Sequence, residues 1–429
     1  MAKQPLHIPA FLNYACERCG WCCRQAGIPI SEAEQRRIAA TPWAEVEPEL
    51  AEQELWRLPG RGGGSNDAPL QLGYTPGHGC VFLTDEGLCR IHSHVSESAK
   101  PLRCRVFPFS FADTPSGVYV GARFSCPAVA FGRGRPLVHE QGLLQRQLRS
   151  VRRAIGLPRF DEEVTVRGGQ TIPWEDYIEL EAALTRVLFR DELPLKRRLL
   201  AFHEFTSLLG EAQFEKVRGE RFKEFVALLE EGLLLEAQGK DSPSRPGPLH
   251  RMLFRLFNLQ FQQRGEDLAG GGRVSRGIRG RVRMTKRAAQ LMAGRGTIRL
   301  DDFPGPFQLG ELAGVRLHDF APEDENALSR FMAAKLFGKQ VFGRMFFGYS
   351  LLDGLRFLML AAGSALWHAR AHALARGARE TEYADIVEGI RYVDYCYAWS
   401  AVPGRSGRRR LLRLLSGGAM PARVTTSQF

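Results

Sequence analysis

The chain has 429 residues, more than one ordinary core accommodates, so two or three domains are expected. Apolar residues make up 44% and charged residues 25%, the composition of a soluble globular protein. No apolar run of signal-peptide length precedes the first cysteine, and the best membrane candidate, residues 357–367, lies between Arg356 and His368 and falls well short of the ~20 apolar residues a spanning helix needs. It reads instead as a buried core helix, in a protein expected to be cytoplasmic. The formal charge of +12 is concentrated: residues 270–300 and 404–429 are rich in Lys and Arg and contain no acid, and the remainder is close to neutral.

In chain order, residues 1–130 are cysteine-rich and irregular. The segment CERCGWCCR (residues 16–24) reads as a tight loop. A helix follows to about Ala40, with Ser31 as its N-cap and Glu34 completing a capping box. Residues 57–79, rich in Gly and Pro, read as a loop. The residues VFL after Cys80 suggest a short strand, Asp85 to Gly87 a turn, and the alternating VYVGARF (118–124) another strand. A helix with a basic face is expected within 143–156.

From Trp174 onward the pattern is helical. Tyr177, Leu180, Leu184, Val187 and Leu188 fall on one helical face. Pro194 suits the first turn of the next helix. Further helices are expected from Phe214, from Leu249, and three more within 322–403, while residues 265–310 are ambiguous. The fold class is therefore mainly α: a small irregular cysteine-rich metal-binding domain (1–131), a connecting segment (132–172), an all-α helical domain (173–403) and a flexible basic tail (404–429).

Eight of the nine cysteines crowd into the first third: Cys16, Cys19, Cys22, Cys23, Cys80, Cys89, Cys104 and Cys126. In a chain without a secretory signal, so dense a set points to metal before disulfides. A CxxC pair turns two sulfurs onto one centre, and CxxCxxC surrounds it with three, as in iron–sulfur runs. Side chains of adjacent residues usually diverge, so Cys22 and Cys23 are expected to serve different centres, or only one to ligate. Eight thiols could fill two four-cysteine sites or one cluster with supporting thiols. An iron–sulfur cluster of the 4Fe-4S type is favoured because all the ligands are sulfur; zinc held by four thiolates fits nearly as well. Cys396 stands alone and reads as a packing residue.

The segments CERCGWCCR, CVFLTDEGLCRI, LRCRVFPF and FSCPAVA resemble the CxxCxxCC cysteine-cluster family, described as zinc- or iron-chelating, to which flagellin lysine-N-methylases are related. That cluster family usually has a tyrosine and an Arg-Pro between its later cysteines; this chain has His92 and Lys100-Pro101 and a longer gap from Cys89 to Cys104. The gap, the Cys-Arg-Ile at 89–91 and the segment 125–130 are closer to the methylase pattern. The likeness covers residues 12–131, and a weaker one covers 325–397. It implies a metal centre, S-adenosylmethionine as a methyl donor and a protein substrate methylated on lysine. The attacking lysine would have to be neutral, which requires a base or a desolvating pocket. No GxGxxG follows a convincing strand, and no base is readable.

Other features carry less. His78, His92, His94 and His139 are potential substitute ligands, with His92 and His94 the ones nearest a cysteine. Arg103 and Arg105 flank Cys104 and could stabilise a thiolate. The glycine runs at 60–64 and 270–272 lack a P-loop ending. The Arg-rich stretch 273–299 has no aromatics for base stacking, so a solvated basic segment is expected rather than nucleic-acid binding. Two classes of function follow: a metal-containing enzyme resembling lysine methylases, or a non-enzymatic zinc- or iron-binding protein whose helices form an interaction module.

Overall fold

The computed structural model describes residues 4–25, 27–58, 70–75, 77–214, 217–239, 245–262, 278–399 and 406–429. The glycine runs at 60–64 and 270–272, and residues 273–277 of the basic stretch, lie outside the described residues. More than half of the chain is helical and the sheets are small, so the fold is mainly α.

The N-terminal part holds a three-stranded sheet. Strand β1 (Leu6–His7) runs parallel to β3 (Gly117–Ala122), which pairs antiparallel with β2 (Phe109–Thr114) in register from Phe109 opposite Ala122 to Thr114 opposite Gly117. The expected strand at 118–124 is therefore the central one. Helices accompany it, among them α1 (Trp21–Arg24), α2 (Glu32–Ala39), α3 (Leu102–Val106) and α4 (Gln141–Ala154). Helix α2 starts at a complete capping box, with the Ser31 hydroxyl accepting from the Glu34 N–H and the Glu34 carboxylate accepting from the Ser31 N–H.

A hairpin, Glu163–Arg167 and Gln170–Pro173, leads into the helical part. There α5 (Trp174–Leu188), α6 (Leu195–Glu211), α7 (Glu220–Gly239), α8 (Pro248–Asn258), α9 (Ile278–Ala293), α10 (Pro322–Phe337), α11 (Leu351–Ala375) and α12 (Tyr383–Trp399) follow in order. The face predicted for α5 is buried along its length, and Glu175 and Asp176 in its first turn complement the helix dipole. Residues 357–367 lie inside α11 and all are buried. Among the described residues no helix is long and apolar enough to cross a membrane.

The tail differs from the expectation of a flexible segment. It forms α13 (Ser406–Leu415) and α14 (Met420–Thr426), with Leu411, Leu412, Leu415 and Val424 buried in the main core. The Thr425 hydroxyl donates to the Met359 carbonyl at 3.0 Å, tying α14 to α11. The excess of arginine hid an apolar stripe at 411, 412 and 415 that the helix presents to one side.

Two apolar cores result. A small one joins Ile30, Ile38, Trp43, Leu72, Phe82 and Ile91. The main one runs from Leu12 and the three-stranded sheet through the helical part to Val424. The sheet and residues 102–130 thus pack with the helices, while the segment between them in sequence keeps its own core. At the closest crossing, α12 lies against α11 through Gly389, where a Cβ would collide with the carbonyl of Ala365 and the amide nitrogen of Ala369. Gly389→Ala should therefore destabilise the protein by about 2 kcal/mol, read as a lower urea midpoint; an unchanged midpoint would contradict this packing.

Candidate metal centre

The cysteines are brought together by short, locally determined turns. Gly20 adopts a left-handed conformation (φ 66°) that reverses the chain after Cys19, and the Cys23 N–H closes the turn onto the Gly20 carbonyl at 3.0 Å. Residues 16–20 are irregular, as expected, and the last four residues of the expected loop, Trp21–Arg24, form the single turn α1. This turn sets the two adjacent thiols side by side, with Cys22 Sγ 4.0 Å from Cys23 Sγ. The expected divergence of these neighbours is not observed, because helical curl carries both to one side.

Cys80 ends a short strand, Gly79–Cys80. Gly79 (φ 111°) is where the strand meets α1: a Cβ there would come within 2.6 Å of the Cys23 carbonyl. The chain turns at Gly87, and the loop from Cys80 to Cys89 is clamped by Arg90. Its guanidinium, buried, donates to the carbonyls of Val81 (3.2 Å) and Leu83 (2.9 Å) and pairs with Glu47. Cys104 sits on α3, and Cys126 precedes the helical turn Pro127–Ala130.

Cys22, Cys23, Cys80, Cys89 and Cys104 line one cavity of about 320 Å³. Lys100, Trp21 and Tyr395 share its wall. Cys16, Cys19 and Cys126 are not part of its wall; the charges of Cys22 and Cys19 are felt at Cys126, and those of Cys16 and Cys126 at Tyr14. No cysteine is in a disulfide; Cys16, Cys19 and Cys22 are exposed and Cys80 and Cys126 buried. Among the described residues, no three Cys, His, Asp or Glu are arranged to hold a metal ion as they stand.

The electrostatics explain why a cation belongs there. Burial, then the neighbouring sulfurs, push the Cys80 thiol up to about 12 and the Cys104 thiol well above its usual range. Burial likewise raises Cys126 to about 12. The Cys22–Cys23 thiol contact, in which either sulfur can be the donor, couples the two: it brings Cys22 down to about 7 and drives Cys23 up. Burial disfavours the Lys100 ammonium, but the charges of Cys89 and Cys104 outweigh it and raise its affinity for its proton. Lys100 and Arg103 are the cations at the cavity wall, and a thiophilic metal cation bound there would displace the remaining thiol protons. Soft thiolate donors without a hard oxygen set suit zinc or iron–sulfur centres.

The histidines do not join the cysteines. His94 bonds Glu47 at 2.6 Å and His78 the Leu83 carbonyl at 3.0 Å, while His92 and His139 are exposed. Arg103 borders the cavity, whereas Arg105 donates to the Lys100 carbonyl. Cys396 is fully buried in the helical core, its Sγ 3.5 Å from the Phe261 carbonyl.

The sequence reading missed the groups from α10 and α12 that close the site. The Asp394 carboxylate accepts the Ser125 N–H at 2.7 Å, one residue before Cys126, and pairs with Lys335 of α10, both side chains fully buried. Lys335 also donates to Gln340 at 3.0 Å. The Tyr395 hydroxyl donates to the Gln25 carbonyl at 3.1 Å and its ring packs edge-on against Trp21. Arg391 stacks over Trp21 at 4.9 Å. Lys100, four residues before Cys104, was visible as a cation near a cysteine; Asp394 and Tyr395 lie too far along the chain to give any local signal.

Residues 15–126 match the model of the CxxCxxCC family, described as "Putative zinc- or iron-chelating domain". The match spans the eight cysteines from Cys16 to Cys126. No curated protein and no solved structure matches the chain.

Removing the charge of Asp394 would strand the buried Lys335 ammonium. Asp394→Asn should cost about 3–5 kcal/mol in urea denaturation, more than Gly389→Ala; a loss below ~1 kcal/mol would show that the pair contributes little.

Proposed function

We propose that this protein binds metal through its eight cysteines, as an iron–sulfur centre in preference to zinc. The observation that carries this reading is the cavity of about 320 Å³ bordered by five cysteines. A single zinc ion takes four thiolates, one fewer than the five sulfurs that border this space. A polynuclear cluster needs sulfurs spread around a larger volume. The sulfurs also divide by neighbourhood. Cys22, Cys23, Cys80, Cys89 and Cys104 border the cavity, Cys16, Cys19 and Cys126 do not, and the charge of Cys22 acts on Cys104 and Cys126 alike. This division favours two four-sulfur groups over one cluster with supporting thiols. When bound, such a centre supplies charge neutralisation for the thiolates and, if redox-active, an electron store.

Anaerobically purified protein is expected to be brown and to contain iron with acid-labile sulfide. Cys104→Ser should lose the metal of the cavity side and retain roughly half. Colourless protein with stoichiometric zinc would overturn the iron–sulfur reading.

A second reading is that of a lysine methylase using S-adenosylmethionine. One observation favours it over a detached metal module. The two segments similar to flagellin methylases, 12–131 and 325–397, meet at the cysteine site through Ser125, Asp394 and Lys335. A substrate-binding helical part built onto the metal site is what such an enzyme needs. The alternative, a non-enzymatic metal-binding protein whose helices bind a partner, shares the same contacts. Incubation with methyl-labelled S-adenosylmethionine and a cell lysate separates them: labelled lysine supports the methylase, and its absence from metal-loaded protein supports the interaction module.

A further inference from the structure

The second site lies away from the cysteines, where α6, α8, α11 and α14 come together. A cavity of about 450 Å³ opens there. Its wall carries five cationic side chains, Lys196, Arg245, Arg251, Arg255 and Arg370, and not one Asp or Glu. Like charges gathered around an enclosed volume repel one another, and proteins ordinarily intersperse them with carboxylates. Here none of the five has a carboxylate partner among the described residues. Even a terminal carboxylate beside Phe429 would leave most of that charge unmatched.

Two of the arginines have a buried donor unused. The Arg255 Nη2 donates to the Met292 carbonyl at 3.1 Å, which fixes the guanidinium, yet its Nε is buried and makes no hydrogen bond. The Nε of Arg370 is likewise buried and unbonded. A buried donor left unmade costs free energy comparable to a lost hydrogen bond. Burial disfavours the charge on both guanidinium groups, and the nearby Arg251 adds to this at Arg255. An anion in the cavity would relieve that charge penalty.

The rest of the wall is mixed: Phe254, Trp367 and Phe429 supply aromatic surface, and Thr426, Ser427 and Gln428 supply polar groups. The volume is that of an ordinary small-molecule site. From these features we infer that the cavity binds a multiply charged phosphate-bearing small molecule, with its phosphates among the arginines and any flat ring against the aromatic wall. Phosphate is favoured over a lone carboxylate because five cations exceed what one carboxylate neutralises. Planar guanidinium forks match phosphate oxygens in pairs.

The test is titration of the full-length, metal-loaded protein with inorganic pyrophosphate, ATP and citrate, by calorimetry and thermal melting at constant ionic strength. Saturable binding of pyrophosphate or ATP is expected, with a raised melting temperature. Tighter binding of ATP than of pyrophosphate would place the ring in the site, and equal binding would assign the recognition to phosphate alone. The exposed variant Arg251→Ala should fold normally and weaken either ligand about tenfold. It should also melt no lower than the parent without ligand, since it relieves repulsion. Arg153→Ala, on a separate basic surface, should leave binding unchanged. No saturable binding of either phosphate probe, binding that Arg251→Ala leaves intact, or a preference for citrate would overturn the inference.

Discussion

A fully buried carboxylate stays ionised only if its partners replace the water it has lost, and Asp394 has such partners on two sides. Lys335 supplies the opposite charge from α10, and the Ser125 N–H supplies a hydrogen bond from the chain just before Cys126. Three stretches far apart in sequence are thereby fixed around one group. The same face of α12 carries Arg391 and Tyr395, which hold Trp21 and Gln25 beside the first cysteine run. The position of the cysteine site relative to the helices depends on this junction. Apolar packing around it supplies most of the stabilisation, whereas the ion pair and its hydrogen bonds supply register, since a slip of either helix would leave a charge buried alone.

The site itself is an electrostatic problem solved only in part by the protein. Buried and crowded sulfurs resist deprotonation, and Lys100 offsets a fraction of the charge. The structure thus combines rigid supports, such as the Arg90 clamp and the turn at Gly20, with thiols whose protons are displaced only by a strong Lewis acid. The arginine-lined cavity shows the same imbalance with opposite sign. Both are places where the polypeptide leaves charge or donors for a ligand to complete.

Much of this was legible from the residues alone because the signals are local. The capping box at Ser31, the apolar face of α5 and the buried run in α11 follow from spacings of three and four residues, and the structure keeps them. The crowding of eight cysteines into the first third was equally plain, since density of cysteine is a compositional fact. Three features were not legible. Cys22 and Cys23 were expected to diverge, but whether neighbours diverge depends on a backbone turn that Gly20 sets. The tail was read by its charge, although Leu411, Leu412 and Leu415 bury one side of it. Asp394 and Lys335 looked like ordinary helical polar residues; only folding brings them to Ser125. The division of labour between segments 28–99 and 102–130 was hidden for the same reason: both belong to one cysteine-rich stretch, but only the second packs into the main core.

The most direct test of the account is X-ray absorption at the iron and zinc edges of anaerobically purified, full-length protein. The account predicts iron with a first shell of sulfur alone and a second iron scatterer beyond it. A shell of oxygen and nitrogen, or zinc as the sole metal, would contradict the claim that the cysteines around this cavity hold an iron–sulfur centre.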